Sequence, residues 1–292
     1  MSFKKIIALH LLLTLLSSTS LAQLKVVKVF YDEEEKQLKE AYEMDLGDNG
    51  WEKTGYYKSY FKSGRLALEG NFKQNKPNGW FKEYYDTTFS KKTPLKSQVF
   101  YENGLKNGKM WALNMQGDTI QKANFKDNQL EGDFLSYYPN GKIFRKSFFK
   151  DTNVEGLAEE FYESGKIAKK MYFKNGQIDS ICAYYYESGN IKAKEFYKNG
   201  LLNGLQSTYY DANSSHIQSN YFMRNNVKIG KEEIFAENGN LVQVAFYENG
   251  LLEGDYKQWY ADTKRLKYEA NYQKGYKNGK EILYFNTEKP II

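Results

Sequence analysis

Apolar and polar positions alternate along this chain in short runs that return about every 24 residues. In one such run, Ile167, Met171 and Phe173 occupy positions that share one face of a predicted strand. The runs are rich in tyrosine, phenylalanine and isoleucine, which favour β-strands, and they are separated by Asn-Gly or Ser-Gly pairs. Glycine in these pairs provides the positive φ of a tight hairpin turn. Each block is therefore predicted to be one β-hairpin.

A glycine, or once a serine, opens each block. The opening positions are Gly55, Gly79, Gly108, Gly132, Gly156, Ser180, Gly204, Gly230, Gly254 and Gly279. Subtraction gives steps of 24, 29, 24, 24, 24, 24, 26, 24 and 25 residues. A regular period is typical of repeat proteins, in which each unit buries its apolar face against copies of itself.

Asn-Gly pairs also lie between the blocks, so the linkers are as short as the turns inside the hairpins. A linker of this length has no room for a crossover, and consecutive strands are predicted to pair antiparallel. The predicted fold class is all-β, an elongated open twisted antiparallel meander of tandem β-hairpin repeats. The array is expected to hold about nine full units plus a partial one.

Two aromatic columns follow from the register of the blocks. The fifth residue after each opening position, from Tyr60 to Tyr284, is large and mainly apolar, and is predicted to form a stacked core column. The sixth is most often tyrosine, whose ring packs while its hydroxyl meets water. Aromatic side chains are common anchors for protein partners and sugar rings. The candidate partner-binding residues are Tyr138, Tyr162, Tyr186, Tyr210 and Tyr260. The alternative is that these rings only stabilise the sheet by cross-strand stacking.

The amino terminus has the pattern of a signal peptide. Lys4 and Lys5 precede an apolar run at 6–16, and Ser-Leu-Ala at 20–22 is a small-x-small cleavage site. Residues 1–22 are therefore predicted to be a signal peptide cleaved after Ala22, and the protein is expected to be exported to the periplasm, the cell surface or the medium. The apolar run is about half the ~20 residues that span a membrane, so no transmembrane segment is expected after cleavage.

Three further segments complete the predicted organisation. Residues 23–54 are predicted to form an N-terminal cap, 55–285 the repeat array and 286–292 a C-terminal tail, because an open sheet needs its edges protected.

Two units are lengthened, around 87–94 and around 213–216. Insertions of this kind are usually surface loops and in some repeat proteins carry binding.

Charge and reactive side chains exclude several classes of function. The chain has a net charge of +6, including two lysines in the predicted signal peptide, and this mild value predicts no nucleic-acid partner. After cleavage His216 is the single histidine, and Cys182 is the single cysteine of the chain. A multi-histidine metal site and an internal disulfide are therefore excluded, and Cys182 is expected to be a small buried side chain.

Acidic pairs such as Glu159 and Glu160 recur, but neighbours on a strand point to opposite faces and cannot act together as acid and base. Catalysis through His216 would need partners from an irregular loop. No turn has the pattern of a phosphate-binding loop. We therefore predict no catalytic, cofactor or metal site, and no enzymatic activity.

Three segments carry a resemblance to a known family. Glu-Phe-Tyr-Glu-Ser-Gly-Lys-Ile at 160–167, Tyr-Tyr-Glu-Ser-Gly-Asn-Ile at 185–191 and Phe-Tyr-Glu-Asn-Gly-Leu-Leu-Glu-Gly at 246–254 resemble variant MORN repeats. The resemblance covers about residues 55–285 and implies an open, twisted sheet of β-hairpins. That family occurs in many exported bacterial proteins and includes chains named as antitoxin components of toxin–antitoxin modules.

Three functions fit these observations. The leading hypothesis is a non-enzymatic exported repeat scaffold that binds a protein or an envelope component along its extended sheet. The first alternative is an antitoxin-like protein that neutralises a toxin by binding it. The second is a glycan-binding module. The sequence favours the leading hypothesis because of the signal peptide, the uninterrupted array and the missing catalytic constellation.

Overall fold

The computed structural model describes residues 24–48, 50–87, 93–211, 216–287 and 290–291. The described residues form strands and turns, and none of them lies in a helix. The predicted signal peptide at 1–22 lies outside the described residues, as do 88–92 and 212–215 of the two lengthened loops.

The strands follow one another along the chain. The first nine are β1 (Lys25–Phe30), β2 (Leu38–Gly47), β3 (Gly50–Tyr60), β4 (Leu66–Lys73), β5 (Lys76–Pro77), β6 (Gly79–Tyr84), β7 (Leu95–Glu102), β8 (Leu105–Leu113) and β9 (Thr119–Lys126). The next nine are β10 (Gln129–Leu130), β11 (Gly132–Tyr137), β12 (Ile143–Lys150), β13 (Asn153–Val154), β14 (Gly156–Phe161), β15 (Ile167–Lys174), β16 (Gln177–Tyr185), β17 (Ile191–Lys198) and β18 (Leu201–Leu202). The last nine are β19 (Gly204–Tyr209), β20 (Ile217–Arg224), β21 (Val227–Phe235), β22 (Leu241–Glu248), β23 (Leu251–Leu252), β24 (Gly254–Trp259), β25 (Leu266–Gln273), β26 (Tyr276–Tyr284) and β27 (Pro290–Ile291).

All of these strands belong to one sheet, and each pairs antiparallel with strands that are near it in sequence. Within the described ranges β1 pairs only with β2, and β27 pairs only with β26. The sheet is therefore an open meander that does not close on itself. This architecture confirms the predicted fold class.

Two-residue turns connect one unit to the next. In the turn between β15 and β16, Asn175 has φ 51° and Gly176 has φ 77°. Positive φ at both central residues is the requirement of a type I′ hairpin turn. Asp151 and Thr152 adopt the same conformation, with φ of 48° and 66°. The tight linkers predicted from Asn-Gly pairs are therefore present, and other residue pairs form them as well.

Side chains and backbone tie these linker turns to the preceding unit. The backbone N–H of Gly176 donates to the carbonyl of Val154 at 3.1 Å. A carboxylate oxygen of Glu155 accepts from the backbone N–H of Asn175 at 2.8 Å. Glu253 accepts in the same way from the N–H of Lys274 at 2.7 Å. The glutamate before an opening position thus caps the next linker turn, which explains why acidic residues recur there.

Each opening position lies at a β-bulge. The register between β15 and β16 jumps from Met171 opposite Cys182 to Phe173 opposite Ile178, which leaves residues 179–181 without direct partners on β15. All ten opening positions have positive φ, and Ser180 has φ 101°. Bulges increase the local right-handed twist of a sheet. The 24-residue period therefore repeats a twist as well as a hairpin.

Burial is concentrated in one column of the sheet. Ala158, Met171 and Cys182 are among the most buried apolar side chains and form one cluster, against which Phe173 and Tyr184 pack. Cys182 is buried, as predicted from the sequence. Ala158 and Cys182 each lie two residues after an opening position, and Met171 lies directly opposite both of them on the strand between.

The predicted core column at the fifth position is wrong in its degree of burial. Its residues, from Tyr60 to Tyr284, are only half-buried. The register shifts at this point in the hairpin, for example between Glu160 and Phe161, and the neighbouring strand does not cover the side chain fully. The predicted boundary between cap and array, at 54 and 55, falls inside β3.

Replacement of Ser180 by glycine tests the conformational demand of the opening position. The backbone strain of a serine held at φ 101° destabilises the folded state by about 1–3 kcal/mol, whereas glycine adopts this conformation without strain. Because glycine also gains entropy in the unfolded chain, we expect Ser180→Gly to raise the free energy of unfolding by about 1 kcal/mol. Urea denaturation followed by circular dichroism measures it. Ser180→Ala keeps the strain and should give no gain; an equal gain from both variants would contradict the strain argument.

Deletion of residues 156–179 tests whether each unit depends on its neighbours alone. The deletion removes one period and places Ser180 in the slot of Gly156, so β12 can pair with the remainder of β16. Because stability in such arrays is a sum of unit and neighbour terms, we expect a shorter protein with a β-sheet spectrum and a cooperative unfolding transition. Loss of the β signal throughout the protein would show that distant units support one another.

Candidate functional site

The sheet has two faces of different character. Ala158, Met171 and Cys182 lie opposite one another on adjacent strands and define the packed face. On each of these strands, the residues immediately before and after the named one point to the other side of the sheet. Leu157 opposite Tyr172 therefore belongs to the second side, which we call the open face.

The open face carries a row of apolar side chains across consecutive units, all of them exposed except the half-buried Ile181. Cross-strand register places Ile181 opposite Phe196 and Leu205 opposite Phe222 on this face. The row, which we call the apolar stripe, consists of Phe148, Leu157, Tyr172, Ile181, Phe196, Leu205, Phe222 and Phe246. The exposed Lys231, opposite Phe246, interrupts it between Phe222 and Phe246. Its aromatic side chains keep between 36% (Phe196) and 47% (Tyr172 and Phe222) of their surface exposed.

Polar residues bound the stripe at both ends. In the units before and after it, Asn124 and Asn271 occupy the position of the aromatic rings. Their cross-strand partners are Lys109 and Asp255. The apolar stripe is therefore a bounded surface feature of residues 148–246, and it is not a general property of the repeat.

Four cations run beside the stripe. Lys150, Lys174, Lys198 and Arg224 each follow an aromatic ring of the stripe by two residues, so each points to the open face, and all four are exposed. The residues opposite them are uncharged: Asn153, Gln177, Leu201 and Val227. Among the residues that the structure describes, none of the four cations is in an ion pair. We call this set the cation row.

Tyrosines and carboxylates share the packed face. The hydroxyls of Tyr184 and Tyr197 both donate to Oε2 of Glu195, each at 2.8 Å. Burial and then the hydrogen bond to Glu195 raise the pKa of Tyr197 to about 12. Burial also raises the pKa of Tyr184, and its hydrogen bond to Glu195 adds to the effect. These hydroxyls are protonated donors at neutral pH, and they satisfy the carboxylate that the sheet half-buries.

A second packed-face carboxylate, on Glu232, is held in a similar way. Lys228 Nζ donates to it at 2.6 Å and the Tyr247 hydroxyl at 3.0 Å. The Lys228 ammonium also lies 4.6 Å and 4.8 Å from the ring centroids of Tyr221 and Tyr247. Charge on this face is thus neutralised within the protein, which distinguishes it from the cation row on the open face.

The five tyrosines predicted from the sequence lie along the edge that carries the hairpin turns, and all are half-buried. Each hydroxyl donates to a backbone carbonyl of the next unit. The bonds are Tyr138 to Phe161 (2.6 Å), Tyr162 to Tyr185 (2.5 Å), Tyr186 to Tyr209 (2.8 Å), Tyr210 to Phe235 (2.8 Å) and Tyr260 to Tyr284 (3.0 Å). These tyrosines therefore join successive hairpins, and partner binding by them stays a prediction.

Sequence reasoning missed the apolar stripe, although a signal for it was present. The second strand of several units carries adjacent aromatic residues, such as Tyr172 with Phe173 and Phe196 with Tyr197. Because adjacent strand residues point to opposite faces, one ring of each pair had to leave the packed face. The recurring tyrosine at the sixth position is the more conspicuous pattern, and it indicates the hairpin edge instead.

Other reactive side chains are separate from the stripe. His216 Nδ1 lies 2.7 Å from the carbonyl oxygen of Glu237. Burial raises the pKa of the Cys182 thiol. In the described ranges, no group of three or more histidine, cysteine or acidic residues is arranged to hold a metal ion. The same ranges contain no helix of the length and apolarity needed to cross a membrane.

Comparison with known proteins identifies a repeat family. No curated protein matches the chain. A solved structure described as "Crystal Structure of TcdB2-TccC3-Cdc42" matches at 11% identity, over 85% of this chain and 16% of that one, with a TM-score of 0.19 that is too low to indicate a shared fold. A family model described as "MORN repeat variant" matches five regions, 53–74, 130–151, 154–175, 178–199 and 228–249. These matches show that the chain contains variant MORN repeats in these five regions.

Proposed function

We propose that this protein is an exported scaffold that binds a macromolecular partner on the open face of its sheet. The observation that carries the proposal is the apolar stripe, which is continuous from Phe148 to Phe222 and has a fifth aromatic ring, Phe246, beyond Lys231. A contiguous exposed apolar surface on a folded protein usually marks an interaction site. Burial of this surface by a partner would supply the favourable free energy of binding.

The shape of the stripe restricts the partner. Successive aromatic residues are two strands apart, about 10 Å, so the stripe extends over about 40 Å across the sheet. A long, narrow surface fits an elongated partner or a polymer better than a small ligand. The regular spacing also allows several weak contacts to add up along one partner.

The edge tyrosines are a second candidate surface. Tyr162, Tyr186 and Tyr210 expose part of their rings beside the hairpin turns, although their hydroxyls already bond to the next unit. Export rests on the signal-peptide pattern at 1–22, and the antitoxin role on the family resemblance alone. Both stay predictions.

Removal of one edge hydroxyl tests its role between units. Tyr162→Phe deletes the hydrogen bond to the Tyr185 carbonyl, and we expect the free energy of unfolding to fall by about 1 kcal/mol. Tyr185→Phe is the matched control, because it removes the hydroxyl of a neighbouring tyrosine and leaves the backbone carbonyl of residue 185 in place. We expect the control to change stability by less than about 0.5 kcal/mol in the same urea titration. Equal losses in both variants would exclude a specific contribution from the inter-unit bond.

Substitution within the stripe tests the binding surface. We expect the triple variant Tyr172→Thr, Phe196→Thr and Phe222→Thr to keep its fold, since these rings are exposed and threonine favours strands. Its recovery of bound material from the envelope fraction should fall at least about tenfold, the effect of losing about 1.4 kcal/mol of binding free energy.

Quantitative affinity capture, with both protein and carbohydrate assayed in the eluate, measures the loss. The edge variant Tyr162→Phe, Tyr186→Phe and Tyr210→Phe serves as the comparison. Unchanged capture by the folded stripe variant, with reduced capture by the folded edge variant, would move the binding surface from the open face to the tyrosine edge.

A further inference from the structure

We propose that the open face of residues 148–246 binds an anionic polysaccharide that carries about one negative charge per disaccharide. This proposal rests on the proposed function and names the chemistry of the partner. It follows from three properties of the same surface: the spacing of the aromatic rings, the position of the cation row, and the twist of the sheet.

The spacing of the stripe matches a polymer of alternating sugars. Aromatic residues recur every two strands, about 10 Å apart, which is close to the length of a disaccharide in an extended polysaccharide. Between them the stripe carries aliphatic side chains, Leu157, Ile181 and Leu205, at about half that interval. An alternating aromatic and aliphatic surface fits a chain whose two sugars differ. The C–H face of a sugar ring packs against an aromatic ring by dispersion and loss of water contact.

The cation row supplies one charge for each aromatic ring over four units. Lys174 follows Tyr172 by two strand residues, which places the two positions about 7 Å apart, and Lys198 has the same relation to Phe196. No acidic residue lies opposite either lysine. A carboxylate or sulfate on every second sugar would therefore meet one unpaired cation at four of the five rings, from Phe148 to Phe222, while its neighbour lies on the stripe. At the fifth ring, Phe246, the equivalent position is Glu248.

The twist of the sheet disfavours rigid partners. Adjacent strands rotate by about 20–25°, so the open face turns by about 40–50° from one aromatic ring to the next. A flat membrane or a straight α-helix cannot follow this twist and would contact only about two of the rings. A polysaccharide follows it, because rotation about each glycosidic bond lets the chain wind. In a stacked single strand of nucleic acid, bases follow one another at about 3.4 Å, so a ring every ~10 Å would contact only one base in about three.

Binding of defined oligosaccharides tests the proposal. A size series of hyaluronan oligosaccharides, which carry one carboxylate per disaccharide, is titrated into the full chain by isothermal titration calorimetry. We expect the affinity to rise with each added disaccharide and to level off at a chain length of about 30 Å, the extent of the four rings that have a cation beside them. Neutral chitin oligosaccharides of the same lengths should bind at least about tenfold more weakly, because they leave the cation row unpaired.

Matched variants locate the binding site. Lys174→Gln with Lys198→Gln should weaken hyaluronan binding about tenfold and reduce its dependence on salt. Lys126→Gln is the control, because Lys126 occupies the same strand position next to Asn124, outside the stripe. Phe196→Thr should also weaken binding, whereas Tyr276→Thr, at an exposed ring outside the stripe, should not. Deletion of residues 156–179 removes one ring and one cation, so the levelling-off length should shorten by one disaccharide.

Three outcomes overturn the proposal. The first is no binding by hyaluronan or unsulfated chondroitin, which both carry one carboxylate per disaccharide, at concentrations that saturate ordinary lectins. The second is equal binding of poly-glutamate, oligo-thymidine or anionic vesicles with the same dependence on Lys174 and Lys198, which would indicate a general polyanion surface. The third is an unchanged affinity in the folded stripe and cation variants. If stripe-dependent capture of a protein partner persists in any of these cases, the proposed scaffold function stands and only the ligand class is wrong.

Discussion

The whole structure depends on backbone pairing between neighbours in a sheet that has only one layer. Within the described part of the chain no second layer covers either face, so each unit gains its burial from the strands immediately beside it. The cluster of Ala158, Met171 and Cys182 spans three adjacent strands and is typical of the small cores that result. Stability is therefore distributed along the array, as expected for a quasi-one-dimensional protein.

Positive φ at the opening position makes this arrangement repeat. It creates the bulge that lets a short strand such as β13 pair with one neighbour while β14 continues the hairpin with the next. The bulge also shifts the register, so backbone groups at each unit boundary need other partners. The Glu155 carboxylate caps one linker turn, and at the opposite edge the Tyr162 hydroxyl donates a hydrogen bond to the Tyr185 carbonyl. The recurring glutamate and tyrosine thus serve the junctions between units.

The same single-layer design leaves a large surface free for recognition. On the packed face, carboxylates such as Glu195 and Glu232 are bonded within the protein. On the open face, exposed rings and unpaired cations lie together over a limited set of units. The difference between the faces favours the open one as the binding surface, because its apolar area and its charge are still available to a partner. The polar ends at Asn124 and Asn271 limit that surface to the middle of the array.

The sequence by itself determined the fold class, the period and the turns. These depend on local properties: alternation of side chains along a strand, and residues that tolerate positive φ in a tight turn. It also placed Cys182 correctly, because a small side chain between strand residues has few alternatives. Tertiary structure alone decided which aromatic residues face the open side and where the edge tyrosines direct their hydroxyls. The physical reason is that a bulge shifts the register between strands, and the partners of a side chain across a sheet then depend on pairing that no local pattern encodes.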